Sequence, residues 1–345
     1  VTATICLKGP KAGTMYAWSS HKWWLSPFRQ QLESTRSEAM ARSGSGNAAN
    51  QSKLLTRRAM LGTVAGAAAA AGAAALAPRA LWAAATPRKG HIKHSVCLWC
   101  FDKYLKSAKM SLDDFCQACV KMGILSIELT EPKLWPTLKK HGLICAMSNS
   151  HTIGKGLNRP ANHDACLASI RKSIDQTAAA GYPNVICFSG NRAGMDDQEG
   201  LANCVTALKK IAGYAEEKKV TVCLEFLNSA HDHPDYMADS TRWCVELVHR
   251  VGSPRVKVLY DIYHAGMMKE DVLADIQQHH DCWGHYHTGG VPGRNEIDNT
   301  QTLDYPKLMR AIVETHFDDY VAQEFVPKRA DALASLEQAV TICDV

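Results

Sequence analysis

A chain of 345 residues with 46% apolar side chains is long enough to bury a sizeable core, so a purely disordered or fibrous protein is excluded. The formal charge is +5, but ten Lys/Arg against two acids precede residue 86, so the leader carries +8 and the remainder −3. The folded part therefore has no excess of positive charge with which to hold nucleic acid, and no nucleic-acid partner is expected.

Residues 1–55 are polar and irregular, with no sustained periodicity. They are expected to be disordered or to lie upstream of the true start, with Met40 as the initiator. From Thr56 the text changes. Thr56-Arg57-Arg58-Ala59-Met60-Leu61 is a twin-arginine pattern. A weakly apolar Ala/Gly stretch runs from Gly62 to Leu76, and Ala83-Ala84-Ala85 offers a small-residue cleavage site. Residues 56–85 thus read as a twin-arginine export signal, which implies a periplasmic or otherwise exported protein. The alternative is a retained anchor, but Ala and Gly are weakly hydrophobic and no Leu/Ile/Phe run accompanies them. No stable membrane span is expected after cleavage.

Beyond Thr86, short β-branched runs alternate with longer helical ones. Strands are expected at His94–Trp99, Ser126–Leu129, Leu143–Met147, Asn184–Phe188, Thr221–Glu225, Val256–Tyr260, Cys282–His287 and Tyr320–Glu324. Helices are expected at Leu112–Met122, Leu134–His141, Asp164–Ala180, Glu199–Lys218, Asp239–Val251, Lys269–Gln278, Tyr305–Glu314 and Ala330–Ile342. Gly142 and Gly181 read as helix stops. Continuous apolar strands such as Val220–Leu224 suit a parallel sheet buried on both faces. Strict alternation of eight such units favours a closed α/β barrel, a (β/α)8 TIM barrel, over a doubly wound sheet. Residues 86–345 are read as that single domain. No G-x-G-x-x-G follows the first strand, which removes the dinucleotide-binding reading.

The 13 cysteines need a separate account. Cys97-x-x-Cys100 and Cys116-x-x-Cys119 have the spacing of some zinc sites, and export permits disulfides. The first pair lies in an apolar strand-like run and the second shares a helix face. Buried free thiols are the preferred reading, with zinc and a disulfide as alternatives.

In such a barrel the chemistry sits at the C-terminal ends of the strands. Strand five ends in Glu225, strand six in Asp261, strand seven in Gly-His285-Tyr-His287 and strand eight in Gln-Glu324. Taken singly, each has a plainer reading: an ion-pair acid, a turn cap or a core histidine. On consecutive strands the four converge, and buried carboxylates need a counter-charge. A divalent metal supplies it. Three carboxylates and one imidazole favour Mn²⁺ or Mg²⁺, with Co²⁺ or Zn²⁺ as alternatives.

The runs Leu224-Glu225-Phe-Leu-Asn228, Tyr260-Asp261-Ile-Tyr-His264, Gly284-His285-Tyr-His287 and Gln323-Glu324-Phe resemble the xylose-isomerase-like TIM barrels. Within that group they are most similar to the hydroxypyruvate isomerase family, and also to ketose 3-epimerases. The resemblance spans about Lys93 to the C-terminus. It implies that Glu225 and Glu324 bind the metal and trade the substrate proton, with Asp261 as third ligand. His287 stands where the epimerases have His and hydroxypyruvate isomerase has Gln. His264 and Arg294 resemble substrate-binding residues, and His285 resembles a histidine lying behind the ligands. The family's further acid after the strand-five Asn is missing from its usual place, leaving His231 or Asp232 to fill it.

Other strand ends shape the pocket. Trp99 and Phe101 either stack on a sugar or belong to the core, His151 is placed to touch substrate, and Glu128 either lines the pocket or pairs within the barrel. Gly289–Glu296 reads as a mobile loop over the site. The expected reaction is isomerisation of a small hydroxy-carbonyl compound or sugar through an enediolate. The alternatives are 3-epimerisation, dehydration of a sugar or keto-cyclitol, and a non-catalytic exported sugar-binding protein. A DNA-repair endonuclease on this barrel needs a denser His/Glu set and a basic face. The sequence leaves a homo-oligomer open.

Overall fold

The computed structural model describes residues 88–345. The expected twin-arginine signal at residues 56–85, and Met40 as the expected initiator, lie outside the described residues. Eight strands, all paired in parallel, alternate with helices: β1 Lys93–Cys97, β2 Ser126–Glu128, β3 Met147–Ser148, β4 Asn184–Cys187, β5 Thr221–Glu225, β6 Val256–Asp261, β7 Trp283–Thr288 and β8 Tyr320–Gln323. The helices are α1 Asp102–Ala108, α2 Leu112–Lys121, α3 Trp135–Lys140, α4 His163–Ala180, α5 Asp197–Lys218, α6 Thr241–Val251, α7 Ile262–Met267, α8 Val272–Gln278, α9 Tyr305–Glu314 and α10 Ala332–Cys343.

The sheet order is β2-β1-β8-β7-β6-β5-β4-β3, so the last strand returns to the first. The remaining seam, between β2 and β3, is held by an isolated bridge from Ser126 to Ile144. Two backbone bonds support it: Ile127 N–H to the Ile144 carbonyl (3.0 Å) and Leu129 N–H to that of Met147 (2.9 Å). The expected TIM barrel is therefore what the chain forms.

Local chemistry explains the elements. β5 is buried along its whole length, as a strand between two layers must be. Ser111 and Asp114 form a reciprocal capping box at the start of α2. Gly181 and Gly252 end α4 and α6 at φ of 73° each, a left-handed conformation that suits glycine.

Three local features depart from the expected pattern. β3 is two residues long rather than the run Leu143–Met147, because the Ser126 hydroxyl, not a strand carbonyl, accepts the Ala146 N–H (2.9 Å). β1 stops at Cys97, and Leu98–Phe101 turns as a 3₁₀ helix that carries Trp99 out of the strand. α1 and α7 were not anticipated. α1 buries none of its residues, so no apolar stripe marks it. α7 has six residues and is capped by the last residue of β6.

All twelve described cysteines are free and buried, Cys97, Cys100, Cys116 and Cys119 among them. They pack as small apolar residues, and among the described residues no cluster of metal-binding side chains contains two cysteines. No described helix is long and apolar enough to cross a membrane.

Candidate metal centre and active site

Glu225 and Asp261 are the last residues of β5 and β6, His287 is the penultimate residue of β7, and Glu324 directly follows β8. All four are buried. Asp261 and His287 are partners in the β6/β7 register. Each of the four offers one ligand atom, and these atoms all lie within 4.8 Å of one another.

His287 Nδ1 stands 2.7 Å from Glu324 Oε2 and 3.5 Å from Glu225 Oε1. Despite this proximity it makes no hydrogen bond of acceptable direction, so a buried ring nitrogen faces two carboxylates unsatisfied. Its other nitrogen, Nε2, is 2.8 Å from Glu128 Oε1. Three carboxylates and one uncommitted imidazole nitrogen are a donor set that suits a divalent cation of hard or borderline character. The four residues fit the metal expected of them.

Arg294 supplies positive charge from the side. Its Nη2 reaches Asp261 Oδ2 at 3.2 Å and also hydrogen-bonds Glu324 Oε2. The guanidinium lies 5.4 Å from the Trp99 ring centre and 5.2 Å from that of Tyr263, within cation–π range of both. Burial raises Glu225 above the usual carboxylate range. Burial also pushes Asp261 up to about 8, against the opposing pull of Arg294. Glu324 feels the same burial, yet Arg294 and His287 outweigh it and hold its carboxyl well below that range. The site therefore combines carboxylates that favour a proton with one that rejects it.

A second tier holds this arrangement. Asp261 does two jobs: its Oδ1 caps α7 by accepting the His264 N–H (3.1 Å), while Oδ2 faces the cluster. His264 is fully buried, with Nδ1 2.7 Å from Asn228 Nδ2 and Nε2 2.8 Å from Arg294 Nη1. Asp232 Oδ2 accepts from Asn228 (2.8 Å) and from the Tyr263 hydroxyl (2.7 Å). Tyr263 was not singled out from sequence, although its place inside the Asp261–His264 run was the available signal.

The residues expected to meet substrate fall in different places. Trp99 is 43% exposed, so it is not a core aromatic, and its Nε1–H donates to Glu324 Oε1 (2.9 Å). Phe101 is buried against Phe115 and Phe325 and belongs to the core. His151 Nε2 accepts the Phe188 N–H at 3.3 Å beside the end of β4. His231 is exposed on the loop after β5. Asp232 and His233 are the loop residues that approach His264, the rings of His233 and His264 lying 5.2 Å apart. His285, which could also have met substrate, lies deeper than the four candidate ligands. It is wholly buried, two residues earlier on β7 than His287, and faces Glu128 from inside the barrel.

Gly289–Glu296, expected to be mobile, is tied down at several points. Gly290 N–H donates to the Asn295 carbonyl (2.9 Å), Arg294 N–H to that of Gly290 (2.8 Å) and Val326 N–H to that of Arg294 (2.7 Å). A Cβ on Gly290 would stand 2.5 Å from the Glu296 carbonyl oxygen and 2.9 Å from that of Asn295. Both are backbone atoms, so Gly290→Ala must displace the loop that seats Arg294. It should cost about 1–3 kcal/mol in urea unfolding. A loss below about 0.5 kcal/mol, the range of an ordinary surface change, would show that the loop absorbs the methyl group freely.

An eight-stranded parallel barrel with its candidate ligands at the C-terminal strand ends defines the class as a TIM barrel of enzymatic layout. The chain belongs to the xylose isomerase-like TIM barrel family, whose pattern matches residues 117–341. It is 25% identical over 170 residues to hydroxypyruvate isomerase of Escherichia coli (strain K12), covering 49% of this chain and 65% of that protein. It is 29% identical over 161 residues to 2-oxo-tetronate isomerase of Cupriavidus necator, covering 46% and 61%. The chain thus spans less than two thirds of the length of these curated relatives. Among solved structures, an AP endonuclease of family 2 from Brucella melitensis superposes with a TM-score of 0.63 at 20% identity, covering 71% of this chain and 96% of that one. The 3-keto-D-glucoside 4-epimerase of E. coli gives 0.61 at 16% identity, covering 73% and 98%. These two establish the shared fold.

Proposed function

We propose that the protein is a metal-dependent isomerase of a small hydroxy-carbonyl compound or sugar. Glu225, Asp261, His287 and Glu324 would hold the cation, with Mn²⁺ or Mg²⁺ the best match to their donor atoms. The observation that carries the reading is the convergence of these four buried ligand atoms within 4.8 Å at the ends of four successive strands. The isomerase names of the relatives support it.

When bound, such a cation supplies Lewis acidity toward a carbonyl and its neighbouring hydroxyl. The protein's own groups do the rest. A carboxylate at the substrate carbon takes the C–H proton next to the carbonyl and returns it to the former carbonyl carbon, while the hydroxyl proton passes to the former carbonyl oxygen. Glu225, which burial biases toward holding a proton, and Glu324, which its neighbours keep ionised, are the two candidates. Arg294 offers its guanidinium to the negative charge that develops on the substrate oxygens, with the Trp99 and Tyr263 rings within cation–π range of it. The Thr56–Ala85 stretch supports action outside the cytoplasm on scavenged compounds.

A second reading, 3-epimerisation of a ketose, is favoured by one residue: His287, where the resemblance gives the epimerases His and hydroxypyruvate isomerase Gln. Purified protein with Mn²⁺ in D₂O, offered hydroxypyruvate and a panel of ketoses, tests both. Deuterium entering the substrate with a change of carbonyl position supports isomerisation. Deuterium with inversion at one carbon supports epimerisation. No deuterium in any compound, with Mn²⁺ and sugar both bound, would leave a non-catalytic sugar-binding protein and overturn the proposal.

A further inference from the structure

The barrel interior beneath the metal centre is not apolar. Glu128, at the end of β2, is fully buried, and so are Ser95 of β1 and His285 and His287 of β7. Glu128 Oε1 stands 2.9 Å from His285 Nε2 and 2.8 Å from His287 Nε2, and its Oε2 accepts the Ser95 hydroxyl at 2.5 Å. The two histidines are two residues apart, so both project from the same face of the strand. One carboxylate reaches both.

A carboxylate with no access to water is costly unless its oxygens are fully paired, and an all-apolar set of the same volume would fill this space at less cost. The arrangement therefore needs a reason beyond packing. A carboxylate oxygen can only accept, so Nε2 of each histidine must carry the hydrogen. In the neutral ring of His287, the form that can bind a cation, this leaves the lone pair on Nδ1, the atom that points at Glu225 and Glu324 without a hydrogen bond of its own. Were the hydrogen on Nδ1 instead, the nitrogen facing the carboxylates would be a donor and unable to bind a cation.

We infer that Glu128 is a positioning residue which, by holding the Nε2–H of His287, selects the tautomer and ring orientation that make Nδ1 a metal ligand. His285 and Ser95 keep Glu128 in place by completing its hydrogen bonds. This rests on the metal-site reading above, and the sequence had offered only a pocket-lining or pairing role for Glu128. Carboxylate–histidine–metal relays of this kind typically account for a 10–100-fold effect on metal affinity.

The test uses the purified protein and two independent readouts. Nitrogen-15 spectra of histidine-labelled, metal-free protein, recorded at a pH high enough for the ring to be neutral, report the tautomer of His287, its signal assigned by its loss in His287→Gln. Calorimetric titration with Mn²⁺ reports affinity. The expected result is an Nε2–H tautomer in the natural protein, loss of that preference in Glu128→Gln, and Mn²⁺ binding weakened about 10–100-fold at unchanged circular dichroism. Folding that is perturbed in Glu128→Gln leaves the measurement on the natural protein decisive, because an Nδ1–H tautomer there overturns the inference by itself. Unchanged tautomer and affinity in a folded Glu128→Gln also overturn it. If the natural protein binds no Mn²⁺ at all, the metal-site reading fails, while the tautomer still decides whether Glu128 orients His287.

Discussion

Glu324→Gln is expected to cut turnover by about 1,000-fold or more, within the range seen when a positioned acid or base is lost. The amide keeps the shape of the side chain but can neither trade a proton nor offer a charged ligand oxygen. Glu225→Gln should cut turnover to a similar extent. The two variants should differ in stability. Glu324 receives Trp99 and Arg294 as well as facing His287, so its loss leaves a buried guanidinium with Asp261 as its remaining close carboxylate. Stranding a buried charge altogether costs about 3–5 kcal/mol, and the surviving partner should reduce this to about 1–3 kcal/mol. Glu225 lies within 4 Å of no cation but His287 and already leans toward the neutral form, so Glu225→Gln should unfold at nearly the natural denaturant concentration. Steady-state kinetics beside urea melts give both numbers. Near-natural turnover in either variant would remove that residue from the chemistry. Parallel Mn²⁺ titrations separate the two roles: a variant that still binds Mn²⁺ but exchanges no deuterium has lost its proton-transfer group, whereas one that binds none has lost a ligand.

Why these glutamates stand out in the sequence, while some of their neighbours do not, is a matter of geometry. Glu225, Asp261 and Glu324 each interrupt an apolar strand at its end, which is where a barrel places polar groups by necessity. His285 and His287 show the limit of that logic. Strand alternation says that residues two apart face the same way, but not how deep each lies. A separation of about 6.6 Å along the strand puts His287 among the ligands and leaves His285 below them. Glu128 was visible as a strand-end acid, yet its two histidine partners come from β7, which is distant in sequence and brought near only by barrel closure. The loop after β5 has no period at all, so the choice between His231 and Asp232 depended on a turn that Asn228 organises by accepting the His231 and Asp232 N–H groups. Trp99 left its strand through a 3₁₀ turn that no apolar pattern announces, and that turn is what lets its indole reach Glu324.

Removing divalent metal with a chelator should abolish turnover and lower the melting temperature, and restoring Mn²⁺ should recover both. A ligand that binds only the folded protein at 1,000 times its dissociation constant stabilises it by about 4 kcal/mol. For a domain of this size that corresponds to roughly 10 °C. The pH dependence of binding has a definite sign. Burial raises Asp261 to about 8 in the metal-free site, so below that pH its carboxyl must release a proton before it can serve as a ligand. Mn²⁺ affinity should therefore climb as pH rises through about 8, by up to about tenfold per unit for each proton released. The competing possibility is built into the site. Arg294 already neutralises part of the charge of Asp261 and Glu324, and His287 stands beside Glu225 and Glu324. If those two cations were enough, the protein would melt at the same temperature with chelator as with excess Mn²⁺, and titration would show no binding. A melting point that moves with metal concentration would show instead that three buried carboxylates need more positive charge than one guanidinium and one imidazole provide.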